Sequence, residues 1–309
     1  MKDLGKPSVR TEKIGESAAD QRIDNFLFRL CKGVPKSHVY RILRSGEVRV
    51  NSRRVGVDYR LRIGDEVRIP PLRVATRSSK PPAPAADFPV LWEDDALLAI
   101  DKPAGIAVHG GSGVSFGAIE QLREARPGAR FLELVHRLDR ETSGVLLLAK
   151  KRTALTAMHE LLRNGGVDKR YLALVKGKWS KPRLKVDVAL HKYLNAEGER
   201  RVAVSRDGQQ AVTLFALKKP GQEASLLEAT LKTGRTHQIR VHLAHLGFPI
   251  CGDDKYGDFA WNKALAKRGL KRMFLHAARL AFRHPVSGEP IAIVAPLPAA
   301  LADFLEILH

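Results

Sequence analysis

The amino-acid sequence predicts an α+β protein with two domains: a small helix-helix-sheet domain at residues 20–70 and a larger domain with a mixed, largely antiparallel sheet at residues 89–309. Three observations support this prediction. The chain has 309 residues, which suggests two domains of ordinary size. Helical periodicity marks two short segments of the first part, whereas strand-like runs dominate the second. Residues 71–88, between the two parts, contain four prolines and little apolar periodicity and are predicted to be a linker.

Two short helices and a small sheet are predicted for the first part. Apolar residues at spacings of three and four from Ile23 to Leu30 predict the first helix. A second amphipathic segment begins after Pro35 and stops at Gly46. Turn signals then separate short strand-like runs at residues 47–50, 53–55 and 66–69.

Positive charge is concentrated in this first part. Of the formal net charge of +20, residues 1–80 contribute +10, from 19 Lys and Arg against 9 Asp and Glu. Such a field attracts nucleic acid or an anionic membrane surface, or it only keeps the protein in solution. Nucleic acid is favoured over a membrane because turn signals interrupt the basic residues, which therefore do not form one long amphipathic helix. The predicted polyanion contacts, several of them three residues apart on the second helix, are Lys36, His38, Arg41, Arg44, Arg53 and Arg54.

Several classes of protein are excluded by what the sequence lacks. The longest apolar runs are far shorter than the roughly 20 residues of a membrane-spanning helix, so no membrane partner is expected. The first residues have no apolar stretch, which argues against a secretory signal and favours a cytoplasmic location. The 2 cysteines are far apart, and neither HExxH nor a phosphate-binding glycine motif occurs, so no metal or nucleotide cofactor is predicted.

The first candidate for a catalytic group is Asp139, in a polar loop between the two apolar runs of residues 132–150. A carboxylate on a loop between strands is held by a rigid scaffold, which is a common position for a functional group. Arg137 and Arg140 flank it. The alternative is that Asp139 only caps the turn through its side chain.

A second candidate, Arg235, follows a glycine in the predicted strand-to-helix turn of residues 231–247. Its guanidinium stays charged and can hold a carboxylate in bidentate geometry, which would keep a pocket Asp ionised. The alternative is a simple phosphate contact or a surface charge. His237, His242 and His245 follow, but no carboxylate or thiolate with metal-binding spacing accompanies them.

Two known families resemble this chain. Residues 20 to about 70, through RIDNFLFRL, PKSHVYRILRSGEVRVN and GDEVRIP, resemble the S4 domain, which binds structured RNA. The second part is similar to the RluA-type pseudouridine synthases, and with the S4 domain in front it is most similar to members that act on large-subunit ribosomal RNA. The six ordered motifs that carry this resemblance are DKPAGIAVHGG (101–111), HRLDRETSGVLLLAKK (136–151), KRYLALVKG (169–177), TGRTHQIRVHLAHLGFPI (233–250), GDDKYGD (252–258) and FLHAARLAFRHP (274–285).

The resemblance implies an activity and a site. Pseudouridine synthases detach a uracil base from its ribose at N1, turn it and rejoin it through C5. By resemblance, Asp139 is the essential residue, Tyr171 lies against the target base and takes part in removing the C5 proton, and Arg235 pairs with the catalytic carboxylate. The substrate-binding residues are then Leu275, which would line the uracil pocket, and Arg137, Arg140 and His237 of the same motifs.

The resemblance also implies the partners. The expected substrate is uridine in 23S ribosomal RNA, bound by a monomer without a cofactor, because substrate and product are isomers. An ionised Asp139 can stabilise positive charge on the sugar, form a covalent adduct or remove a proton, and all three routes stay open. Two alternative functions also stay open: the same chemistry on another ribosomal or transfer RNA uridine, and a non-catalytic ribosome-associated RNA-binding protein.

Overall fold

The computed structural model describes residues 9–31, 33–72, 83–111 and 114–308. The chain divides into two compact units, Met1–Pro82 and Ala83–His309. Each unit has a hydrophobic core of its own. The predicted linker at 71–88 falls largely on residues 73–82, which lie outside the described residues.

The N-terminal unit packs two helices against a small antiparallel sheet. Its elements are β1 (Arg10–Lys13), α1 (Ile23–Leu30), α2 (Lys36–Arg44), β2 (Arg49–Val50) and β3 (Glu66–Ile69), with one 3₁₀ turn between β1 and α1. The strand order is β1-β3-β2. The apolar faces of both helices and of the sheet form one core, which confirms the helical periodicity read from the sequence.

Two details of this unit differ from the prediction. Strand β1 pairs with β3, although its polar sequence RTEK shows no alternation of apolar residues. The run at 53–55 is not a strand, since it makes a single antiparallel bridge between Arg53 and Val50. A tight turn explains this, because Asn51 and Ser52 both adopt a positive φ and reverse the chain at once.

The second unit is built on twelve strands and five helices within the described residues. The strands are β4 (Val90–Glu93), β5 (Leu97–Lys102), β6 (Glu133–Leu134), β7 (Ser143–Ala149), β8 (Val167–Lys176), β9 (Arg183–Asp187), β10 (Leu190–Leu194), β11 (Arg200–Val204), β12 (Val212–Lys219), β13 (Ala224–Leu231), β14 (Leu275–Arg283) and β15 (Pro290–Val294). The helices are α3 (Ala118–Ala125), α4 (Arg152–Arg163), α5 (Gln238–His245), α6 (Phe259–Lys267) and α7 (Ala299–Leu308). None of the helices in the described part of the chain is long and apolar enough to cross a membrane.

Ten of these strands form one sheet, and β10 and β11 form a separate hairpin. The order along the sheet is β4-β5-β7-β14-β8-β13-β12-β9, with β6 beside β7 and β15 beside β14. Every pairing is antiparallel except that of β7 with β14, which is parallel. The predicted mixed, largely antiparallel sheet of an α+β protein is therefore confirmed.

The parallel pair at the centre of the sheet determines where the loops meet. Because β7 and β14 run in the same direction, with Ser143 opposite His276, the loop before β7 and the first residue of β14 lie at the same edge. Gly144 makes this close pairing possible. Its φ is +110°, and a Cβ there would lie 2.3 Å from the carbonyl oxygen of Ala277.

Candidate active site

A cleft of about 1420 Å³ lies beside the beginnings of β7 and β14. Eleven Lys and Arg residues line it, contributed by several segments of the second unit. Among its lining residues in the described part of the chain, Asp139 is the one carboxylate. A concave site with this balance of charge attracts a polyanion. The one carboxylate would then lie close to the bound polyanion.

Asp139 lies in the loop between β6 and β7, as the sequence predicts, and its side chain is 26% exposed. Lys102 supports this loop through hydrogen bonds. Its side chain is fully buried, and its ammonium donates to the carbonyl oxygens of Pro103 (2.7 Å), Ile106 (2.8 Å) and Arg140 (3.2 Å). Burial lowers the pKa of Lys102 to about 8. One ammonium group thus joins the two loops, with two of its hydrogen bonds to the loop after β5 and one to the loop that carries Asp139.

The guanidinium that contacts Asp139 belongs to Arg240, on α5. Its Nη1 donates to Oδ2 of Asp139 over 3.4 Å, and its Nε and Nη2 donate to Oδ2 and Oδ1 of Asp253 over 2.8 and 2.6 Å. Burial by itself opposes the charge on Arg240, but the hydrogen bonds and negative charges of Asp253 and Asp139 outweigh it and raise its pKa above the usual value. Arg240 is therefore a permanent positive charge, clamped in one orientation beside Asp139.

The prediction that Arg235 pairs with the catalytic carboxylate is wrong. Arg235 lines the cleft, but its side chain is exposed and its Nε donates to the carbonyl oxygen of Gln210 over 3.1 Å. The reason is the start of α5 at Gln238, which leaves Arg235 in the preceding turn. Arg240, five residues further on, points from the helix into the interior.

Two further residues that the sequence predicts for the site lie in the same cleft. Tyr171 on β8 and Leu275 at the start of β14 both line it, with 7% and 3% of their surfaces exposed. They are neighbours in the sheet because Leu275 pairs with Ala173 of β8. Burial, followed by the charge of Asp139, raises the pKa of Tyr171 above its usual value. The phenol is therefore protonated and offers a flat apolar wall with one hydroxyl group.

The remaining predicted substrate contacts also line the cleft. Arg137 is exposed, and Arg140 is exposed with its Nε donating to the carbonyl oxygen of Gly105 over 2.9 Å. His237 lies with Nε2 4.0 Å from Oδ1 of Asp139. Burial lowers the pKa of His237 more than the nearby charge of Asp139 raises it, so its imidazole is neutral near pH 7.

Three residues that surround Asp139 were missed from the sequence: Arg240, Asp253 and Lys102. A signal for the first two was present, because GDDKYGD places two adjacent carboxylates shortly after an arginine-bearing helix. The signal for Lys102 was absent. A lysine beside the turn residues of DKPAG reads as a surface charge, and its carbonyl partners lie as far as 38 positions away.

In the N-terminal unit, the six predicted polyanion contacts lie on α2 and the turn after β2. Arg41 and His38 are in contact, with Nη2 3.2 Å from Nε2, as their spacing of three predicts. The ammonium of Lys36 lies 5.3 Å from the ring centroid of Phe28. Arg44 is exposed beside Tyr40, with its guanidinium carbon 6.0 Å from the ring centroid. Arg53 and Arg54 are exposed to solvent.

The fold and the cleft together are typical of one class of protein, an enzyme that acts on a polyanionic chain. Comparisons with known proteins agree. Residues 96–245 match the RNA pseudouridylate synthase family, and residues 21–67 match the S4 domain. The chain belongs to the RNA pseudouridylate synthase family, which confirms the resemblance carried by the six motifs.

Relatives cover nearly the whole chain. It is 53% identical to the ribosomal large subunit pseudouridine synthase C of Salmonella typhimurium and 52% identical to that of Escherichia coli, over 98% of this chain and of each relative. The protein of the same name from Pasteurella multocida is 49% identical over 98% of this chain and 94% of its own length. Two solved human structures share the fold of 71% of the chain at a TM-score of 0.59: RNA pseudouridylate synthase domain containing 4 (28% identical, 92% of that chain) and domain containing 1 (24% identical, 87% of that chain).

Proposed function

We propose that this enzyme converts specific uridines of 23S ribosomal RNA to pseudouridine, with Asp139 as its catalytic residue. The observation that carries the proposal is the position of Asp139: one carboxylate among eleven cations, beside the Arg240 guanidinium and facing a wall that contains Tyr171 and Leu275. The relatives named above are large-subunit ribosomal enzymes, which supports 23S RNA as the substrate.

The cleft fits a nucleotide that has left its helix. A stacked uridine is out of reach of a group inside a cleft, so the base must flip out, at a cost of a few kcal/mol. The cations offset that cost by contacting RNA phosphates. Tyr171 and Leu275 then provide an apolar surface for the uracil ring beside Asp139. Asp139 either attacks the substrate covalently, removes a proton or stabilises positive charge on the sugar as the bond to N1 breaks.

The other parts of the proposal concern the whole chain. The S4 domain, at residues 20–70, binds RNA through the basic face of α2, while residues 89–309 carry out the reaction and residues 71–88 link the two. The protein works as a monomer in the cytoplasm. The excess of positive charge in residues 1–80 supports the RNA-binding role of the first part.

The test of the substrate is a pseudouridine map of ribosomal and transfer RNA from a strain that lacks this protein. We expect particular 23S positions to lose pseudouridine and to regain it when the gene is restored. Loss confined to transfer RNA or to the small subunit would assign the same chemistry to another RNA. An unchanged map would contradict the enzymatic proposal and favour the non-catalytic RNA-binding alternative.

The test of the S4 domain is the salt dependence of RNA binding. Replacing Lys36, Arg41 and Arg44 by Gln should weaken binding and lower the slope of log affinity against log salt concentration by about 0.7–0.9 for each phosphate that the protein no longer neutralises. Fluorescence anisotropy with a 23S RNA fragment at four salt concentrations measures the slope.

A matched control removes the same charge elsewhere in the N-terminal unit, by changing Arg10, Arg60 and Arg62 to Gln. We expect this control to change the slope less than the α2 variant does, because long-range attraction falls off within a Debye length of about 10 Å. A wild-type slope in the α2 variant would mean that α2 makes no direct phosphate contacts.

A further inference from the structure

One tyrosine behind the cleft contacts both side chains that face Asp139. Tyr256 lies in the loop between α5 and α6 and is not among the residues that line the cleft. Its ring meets His237 edge to face, with centroids 5.5 Å apart. The guanidinium carbon of Arg240 lies 5.2 Å from the same ring centroid. Tyr256 therefore packs against the two neighbours of Asp139 without reaching the substrate space itself.

The hydroxyl group of Tyr256 joins this pair to the β10–β11 hairpin. It accepts a hydrogen bond from the backbone N–H of Val202 on β11 over 2.9 Å, and it lies 2.8 Å from Nδ1 of His237. Arg201, the residue before Val202, lines the cleft and places its guanidinium carbon 5.8 Å from the Tyr256 ring. One side chain thus contacts the rim of the cleft and the interior partners of the carboxylate.

These contacts favour a proton on one particular nitrogen of His237. The hydroxyl already accepts from Val202, and the described residues offer its own proton no acceptor besides Nδ1 of His237. A neutral imidazole that accepts at Nδ1 carries its proton at Nε2. Nε2 is the nitrogen 4.0 Å from Asp139. With this tautomer, His237 turns an N–H group, and not a lone pair, toward the carboxylate.

The backbone of His237 has an uncommon conformation. Its φ is +53°, in the left-handed region that a residue with a Cβ seldom adopts. The ring of this residue is in contact with Tyr256 at Nδ1.

We propose that Tyr256 is a positioning residue for the reaction: it holds His237 and Arg240 in the orientation that Asp139 requires and connects them to the hairpin at the rim. This inference rests on the proposed function, since it assigns Tyr256 a role in that same site.

The first test is Tyr256→Phe, which keeps the ring and removes the hydroxyl group. We expect kcat on transcribed 23S ribosomal RNA to fall by about 10- to 100-fold, the loss that a small misplacement of reacting groups causes. KM should stay within twofold, because Tyr256 does not line the cleft. A kcat within twofold of wild type, or a change in KM alone, overturns the proposal.

The matched control is Ser287→Ala. Ser287 Oγ lies 3.1 Å from Nδ1 of His284 in the turn between β14 and β15, so this variant also removes a hydroxyl group from a histidine nitrogen. It should keep the wild-type kcat. Wild-type protein that forms no pseudouridine in 23S RNA contradicts the proposed function, whereas active wild type with an unaffected Tyr256→Phe contradicts only the role of Tyr256.

Two further measurements separate positioning from general structure. Nitrogen-15 NMR of the histidine rings should show Nδ1 of His237 unprotonated in wild type and partly protonated in Tyr256→Phe, and a protonated Nδ1 in wild type overturns the proposal. A double variant with His237→Gln should be no more than about threefold slower than His237→Gln alone, because coupled residues are not additive. Losses that multiply in full would show that Tyr256 does not act through His237.

Discussion

Replacing Asp139 by Asn is expected to lower kcat by about 10⁴-fold or more, the loss seen when an enzyme loses its nucleophile or general base. The amide carries no charge to stabilise the sugar, forms no adduct and accepts no proton, so the result is the same by all three routes. RNA affinity should stay within a few-fold and rise slightly, because the cations of the cleft remain and the one negative charge is removed. Single-turnover pseudouridine formation and a separate binding assay measure the two quantities.

The control for this variant is Glu141→Gln, a change of the same chemical kind two residues further along the loop. Glu141 pairs with Arg140 over 3.4 Å and does not line the cleft. We expect its kcat to stay within about threefold of wild type, as a partly exposed ion pair contributes little. If Asp139→Asn retained more than a hundredth of the wild-type rate, the assignment of Asp139 as the catalytic residue would fail.

The second large effect is expected for Arg240→Lys. The ammonium keeps the charge but does not reproduce the planar fork that bonds Asp253 through two nitrogens and Asp139 through a third. We expect kcat to fall by about 100-fold and the free energy of unfolding to fall by up to about 3 kcal/mol, since Asp253 is fully buried and loses part of its pairing. Denaturant titration followed by tryptophan fluorescence checks the stability, because Trp92, Trp179 and Trp261 all lie in the second unit.

The matched comparison is Arg235→Lys in the same motif. Arg235 is exposed and donates to a carbonyl oxygen, so lysine retains its contribution to the charge of the cleft. Its kcat should change by less than about threefold, and its stability should not change measurably. The opposite pattern, with Arg235 essential and Arg240 silent, would restore the pairing that the motif alone predicts. Assays well below the melting temperature of each variant keep folding losses out of kcat.

Sequence patterns predicted the parts of this protein whose structure is determined by neighbouring residues. The periodicity of residues 23–30 predicted α1, and two apolar runs around a polar loop predicted the place of Asp139. Strand β1 escaped prediction because RTEK has no apolar face, and it forms by pairing with β3. Whether Arg235 or Arg240 contacts Asp139 depends on where α5 begins. The buried Asp253 that fixes Arg240 is brought near it only by the tertiary fold.

Among the residues that the structure describes, the ammonium of Lys102 donates to main-chain oxygens alone. Every amino acid supplies a backbone carbonyl group, so the hydrogen bond from Lys102 to the loop does not depend on which side chain is present at position 140. A substitution at this position therefore removes the bond from Nε of Arg140 to the carbonyl oxygen of Gly105 but leaves the main-chain bond from Lys102 available to hold the loop of the neighbouring carboxylate.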